Sequence, residues 1–208
     1  MREKPWYPVL YMFVVTAFLS SILIGLSRFT HDRVQANQKL AVEKSVLEAL
    51  SVELSPEASS FELHELFLAR VEEPSPASGG AYLLKEGDEV VAYAIPLEGK
   101  GYWDKIRGFI GIASDRRTVR GISFYEQNET PGLGAEIEQP PFRGQFVGKR
   151  IGEGGRPIGI LPVGSSLDES QVHAVTGATQ TSTRLERIIN DDLLSWRSAV
   201  PSMGDQGS

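Results

Sequence analysis

The apolar and polar positions change their rhythm three times along the chain. From Tyr7 to Leu26 no charge interrupts the apolar residues. At about 20 residues, that run is long enough to cross a hydrocarbon core as a helix. Trp6 and Tyr7 at its start are rings that favour the membrane–water interface. A cleaved signal would have a shorter apolar core and a small-x-small site, and Gly25-Leu26-Ser27-Arg28 is a poor match to one. The expectation is an uncleaved anchor. Arg2 and Lys4 precede it, and Arg28 and Arg33 follow it. The balance leans to a cytoplasmic N-terminus, with the rest of the chain outside the cytoplasm.

After the anchor, Val34, Leu40, Val46, Leu47, Leu50 and Leu54 recur at three- and four-residue steps. This predicts a juxtamembrane helix with one apolar face, ended by Pro56. Phe61 to Val71 predicts a second short helix, with Leu63, Leu66 and Phe67 inward. Residues 74–80, rich in Pro, Ser and Gly, read as a linker.

The rhythm then shortens toward that of strands. Ala81–Leu84 and Val90–Pro96 flank a polar loop at 85–89, and Ile106–Ala113 and Thr118–Glu126 flank another at 114–117. Both predict hairpins, and Arg156–Val163 adds a strand. From Thr183 onward Leu185, Ile188, Ile189, Leu193 and Trp196 share a helical face. The expected layout is an N-terminus at 1–6, a transmembrane helix at 7–26, a helical segment and linker at 27–80, an α+β domain at 81–200 and a tail at 201–208.

Charge and composition narrow the chemistry. A net charge of −6 with no Lys/Arg cluster argues against a nucleic-acid partner, which needs a basic face. The absence of cysteine excludes disulfides, thiolate zinc sites, all-Cys iron–sulfur clusters and thioether-linked haem. If the chain moves electrons, an organic cofactor or a partner holds them.

Two segments carry candidate chemistry. His173-Ala174-Val175-Thr176-Gly177-Ala178-Thr179-Gln180-Thr181-Ser182-Thr183 sets hydroxyls and small residues before an amphipathic helix. Small residues let the backbone approach a ligand, and a helix start favours a phosphate. Ordinary capping by Thr181, Ser182 or Thr183 is the alternative, and both uses engage the same N–H groups. Glu129-Thr130-Pro131-Gly132-Leu133-Gly134 follows a predicted strand and alone reads as a loop.

Together, and in this order, the two segments resemble the FMN-binding domain family found in the C subunit of the sodium-pumping NADH:quinone reductase and in the G subunit of the Rnf electron-transport complex. Gly99-Lys100-Gly101-Tyr102-Trp103, Gly121–Glu126 and Phe146–Lys149 match further parts of that family's pattern. The resemblance implies an α+β fold, an antiparallel-sheet FMN-binding domain with flanking helices, preceded by one N-terminal transmembrane helix. It implies FMN joined through its phosphate to Thr179 in the motif Thr176-Gly177-Ala178-Thr179, with Thr181 also toward the phosphate. Thr130, Gly132 and Leu133 would meet the flavin, and Tyr102 and Trp103 either stack on it or pack elsewhere. Lys149 is either a counter-charge to the phosphate or a surface lysine.

The implied function is electron transfer in a bacterial inner (cytoplasmic) membrane, alongside other membrane subunits, after maturation by a flavin transferase. In such proteins the transferase usually recognises an Asp three residues before the first hydroxyl of the motif, where this chain has His173. Non-covalent FMN at the same site is therefore the alternative to the bond. An FMN-binding sensory or regulatory membrane protein is the alternative function. A Ser/Thr hydrolase would need a base beside its nucleophile, and no carboxylate–His pattern offers one. A carboxylate pair such as Glu129 and Glu136 suits acid/base work only by residue type.

Overall fold

The computed structural model describes residues 6–55 and 57–200. Two compact units emerge, Met1–Leu40 and Ala41–Ser208. Helix α1, Tyr7–Ala49, is a single element of 43 residues. It replaces the separate helices expected at 7–26 and 34–54. Between Leu26 and Val34 there is neither Pro nor Gly to break the ladder, so the hydrogen bonds run on. The Ser21 and Thr30 hydroxyls donate to Ala17 O at 2.7 Å and Leu26 O at 3.0 Å. That back-bonding satisfies both hydroxyls within the helix. Among the described residues α1 alone is long and apolar enough to cross a membrane, with a stretch of mean hydropathy 2.3.

The helix stops at Ala49, earlier than expected, and Pro56 lies outside the described residues. Ser51 takes a positive φ of 55° just past the end. The second unit thus begins with the last turns of α1 and includes α2, Ser60–Arg70, both upstream of the boundary expected at 81.

Its centre is an antiparallel sheet in the order β1 (Val71–Glu72), β2 (Tyr82–Glu86), β3 (Glu89–Lys100), β4 (Lys105–Ala113) and β5 (Val119–Glu126). Both expected hairpins form, β2–β3 and β4–β5. Gly87 supplies the positive φ, 65°, that the tight first turn needs. Two short strands, β6 (Gly159–Leu161) and β7 (Gln171–His173), pair in parallel apart from the main sheet. A single turn, α3 (Pro140–Arg143), precedes them, and α4 (Thr179–Ala199) closes the domain.

Alternation along the strands sends side chains to two cores. Tyr93, Ile95 and Leu97 of β3, with Ile106, Ile110 and Ile112 of β4, join Leu185, Ile189, Leu193 and Trp196 of α4. Ala92, Ala94 and Phe109 join Val46, Leu47, Ala49 and Leu50 of α1 and Phe67 of α2. Small residues on this second side allow close approach. A Cβ on Gly111 would stand 1.9 Å from the Ala49 carbonyl oxygen.

Candidate flavin site

The antiparallel register brings the end of β3 and the end of β5 to one end of the sheet. Lys100 pairs with Lys105, and Glu126 pairs with Arg107. The turn at 101–104 and the loop at 127–134 therefore leave the sheet side by side, and the start of α4 meets them there.

Glu129 joins the three. It is only 5 % exposed. Its Oε1 accepts the Trp103 backbone N–H at 3.0 Å, and its Oε2 accepts the Thr181 hydroxyl at 2.6 Å. Among the described residues it has no cationic partner, so these neutral donors offset its burial. Glycines make the space. A Cβ on Gly101 would lie 2.5 Å from Oε1, and one on Gly134 would lie 2.8 Å from Oε2 and 2.6 Å from the Thr181 hydroxyl. Two glycines of the sequence motifs thus flank one carboxylate.

The Thr-rich segment turns sharply at Gly177, with φ 77°. The Ala178 N–H donates to Val175 O at 3.1 Å, and the Val175 N–H donates to the Ser182 hydroxyl at 3.2 Å. Ser182 thereby fastens the turn to the helix behind it. Helix α4 begins at Thr179, four residues earlier than expected, with Ala178 at its N-cap and no side chain capping it. Capping by Thr181, Ser182 or Thr183 is therefore not what these hydroxyls do. The first turn therefore presents orphan N–H groups, with the positive end of the helix dipole, and Ala178 offers them no side-chain cap. Thr179 is the first residue of the helix and exposed, and its hydroxyl has no partner among the described residues.

The structure brings the residues singled out in the sequence together, in differing roles. Thr176 and Gly177 are exposed and Ala178 is buried. A Cβ on Gly177 would lie 3.1 Å from Leu133 Cδ2, so the two motifs touch. Gly132 has a φ of 72° and open space around it, and Leu133 is 43 % exposed. The Thr130 hydroxyl accepts the Trp103 indole N–H at 3.0 Å. Thr181 faces inward to Glu129, so what it can offer a phosphate is its backbone N–H in the first turn.

Tyr102 and Trp103 are exposed and stand edge to face, with the Arg184 guanidinium 5.8 Å from the Tyr102 ring centre. Lys149 donates to Asp168 O at 3.2 Å and lines no part of the site cleft. His173 ends β7; its backbone exchanges hydrogen bonds with the Gln145 amide, and its buried Nδ1 has no partner among the described residues.

A cleft of about 270 Å³ runs along this turn. Pro162 and Val163 form one wall; Thr176, Gly177, Thr179 and Thr183 form the other. Among the described residues, no Lys or Arg lines it. A larger cleft of about 450 Å³, walled by Arg117, Arg150, Glu153 and Asp168, shares no residue with it.

Glu129 and Thr181 were not foreseen as a pair. The sequence offered only a motif glutamate, and their contact spans 52 positions. The pair is no nucleophile and base, because Thr181 is 4 % exposed. Nor does His64 or His173 bond to a hydroxyl; His64 Nδ1 meets Glu43 at 2.9 Å.

Residues 101–193 match the FMN-binding domain family. Among similar proteins are the C subunits of the Na(+)-translocating NADH-quinone reductases of Vibrio vulnificus, 42 % identical over 115 residues, and of Yersinia pestis, 37 % identical over 113 residues. These alignments take in 52 % of this chain, and 44 % and 42 % of the respective relatives. The chain thus spans less than half the length of the curated relatives it matches.

The corresponding C subunit from Parabacteroides distasonis has a similar structure, with TM-score 0.72 and 22 % identity over 84 % of this chain and 98 % of that one. NqrC of Shewanella oneidensis follows at TM-score 0.69 and 19 % identity, covering 79 % and 98 %. At these identities the likeness is one of fold. Residues 101–193 therefore carry the signature of the FMN-binding domain family, on the α+β fold that their two motifs implied.

Proposed function

We propose that this chain is a membrane-anchored electron-transfer flavoprotein that carries FMN in phosphoester linkage to Thr179. Its setting would be a membrane electron-transport complex of the NADH:quinone reductase or Rnf type. The observation that carries the reading is the uncapped start of α4. An exposed threonine stands at its first position, and Gly177 just before it lies against Leu133 of the Glu129–Gly134 loop.

The residues present fit the phosphate end of FMN. Free N–H groups and the helix dipole meet the anion, and Gly177 leaves room beside it. A cleft of about 270 Å³ falls below the ~300–1,000 Å³ typical of pockets that enclose a drug-sized ligand. It would take the phosphate and ribityl end, and Leu133, Thr130 and Trp103, outside the cleft's own lining, would be the residues to meet the ring. A helix terminus contributes only ~0.3–2 kcal/mol to holding an anion. With no cation in the cleft, a covalent tether is what keeps the group from diffusing away.

Bound FMN would supply the capacity to take up and release electrons; the protein supplies position and environment. Thr179 anchors, the first turn of α4 orients the phosphate, and Leu133 and Trp103 limit water at the outer walls. Helix α1, long and apolar enough to span, would anchor the domain in the bacterial cytoplasmic membrane, on the extracytoplasmic side in this proposal, beside other membrane subunits. A flavin transferase would make the bond with His173 in place of the usual Asp.

The test is peptide mapping of membrane-extracted protein together with Thr179→Val. The expected result is ultraviolet fluorescence of the band on a denaturing gel and an FMN mass increment on the Thr179 peptide, both lost in the variant. Protein that retains flavin only before denaturation would replace the bond with tight binding, and protein without flavin would end the proposal.

A further inference from the structure

We infer that Glu129 is a positioning residue of the flavin site, and that it holds the site's walls in place before any flavin arrives. The inference rests on the flavin reading above for what the walls are for. It rests on geometry of the protein alone for the lock itself.

A carboxylate 5 % exposed, with no ion pair among the described residues, is costly unless its oxygens are satisfied. Here each oxygen takes one donor from a different segment: the Trp103 backbone N–H and the Thr181 hydroxyl. The backbone N–H of Glu129 itself donates to Gln127 Oε1 at 2.6 Å, which fixes the entry to the loop. Trp103 is held a second time, through its indole N–H on Thr130. A tryptophan that is 64 % exposed would ordinarily be free to change rotamer. Here the indole bond to Thr130 restrains the ring while the Glu129 bond holds the backbone that carries it, and both lead to the 129–130 pair. At its other end the same carboxylate grips the first turn of α4, two residues after Thr179. The distance between the proposed attachment point and the aromatic wall is therefore set by one side chain.

Glutamine can keep both contacts, because its Oε1 accepts from Trp103 while its Nε2 donates to the Thr181 hydroxyl. Alanine strands both donors. Thr181→Val removes one arm at nearly constant shape, and keeps the test open should Glu129→Ala fail to fold.

The experiment compares full-length wild type, Glu129→Gln, Glu129→Ala and Thr181→Val. It reads amide hydrogen exchange of residues 99–107 and 127–134 in flavin-free protein, and flavin content after maturation. The Ala and Val variants should exchange about tenfold faster or more in those segments, since a buried donor loses its acceptor or an acceptor its donor. Their flavin content should fall in the same order, while Gln stays near wild type in both. Unchanged exchange in Ala and Val, or a Gln variant as impaired as Ala, would overturn the lock. A wild type without flavin would defeat the flavin reading alone, because the exchange comparison still decides whether Glu129 holds these segments together.

Discussion

On one face of the sheet, residues 41–50 of the chain and helix α2 close a core in which the helix start is capped and two glutamates meet basic side chains. Helix α2 has a full capping box between Ser59 and Glu62. Glu48 meets Arg143 at 2.5 Å and accepts from Ser123 at 2.8 Å, and Glu43 meets His64. On the other face, α4 starts without a side-chain cap, and Glu129 is held by neutral donors. Both faces bury aliphatic and aromatic side chains, so packing does not distinguish them. Neither face has its polar groups fully matched, since Ser45 Oγ and Arg143 Nε are buried without a partner among the described residues; the contrast lies in the two helix starts, capped at α2 and open at α4.

The largest expected effect is on the face with the capped helix. Gly111→Ala puts a methyl 1.9 Å from the Ala49 carbonyl, where backbone must move. It should cost about 3 kcal/mol of unfolding free energy, read by urea denaturation. Flavin content of the protein that does fold should be normal. A variant as stable as wild type would mean that the end of α1 is not fixed to the sheet.

Gly177→Ala tests the other face. Its φ of 77° costs an L-residue ~1–2 kcal/mol, and the Leu133 contact adds crowding. Flavin content should fall by more than the unfolded fraction explains. Equal losses of stability and flavin would make this turn ordinary structure.

The contrast between the faces also explains what the sequence disclosed. The hairpins were legible because each is local, with turn residues between β-rich runs. The two motifs were legible because their residue types were unusual together. The start of α4 was misplaced because a run of Thr and Ser before an amphipathic helix looks like a cap, and only the fold turns Thr181 inward to Glu129. That lock depends on residues 52 positions apart and leaves no periodicity behind. Strands β6 and β7, three residues each, are too short to show a pattern. The continuity of α1 was hidden by the change from apolar to mixed sequence after Leu26, which alters the solvent of a helix but not its hydrogen bonds.

Ser59→Ala removes the cap of α2 and should cost about 1 kcal/mol, with flavin content unchanged. Thermal or urea unfolding gives the first number and flavin absorbance the second. A loss of flavin here would couple the two faces and weaken the contrast.

The smallest effect concerns charge on the α4 face. Asp192 is half-buried, and burial pushes its pKa up, opposed by the Glu98 backbone N–H at 3.0 Å and reinforced by the charges of Asp191 and Glu98. With its folded pKa above the unfolded value, the native state binds the extra proton between the two values. Stability therefore declines as pH rises through that window, from the ordinary Asp value upward, and the penalty stays at neutral pH. Asp192→Asn keeps an acceptor for the Glu98 N–H and removes the charge. It should stabilise the domain at pH 7 by at most ~0.5 kcal/mol after solvent screening, and flatten the decline above pH ~4 in urea midpoints. A destabilised Asn variant would mean that this carboxylate has a cationic partner in solution, and that the α4 face balances its charges as fully as the other.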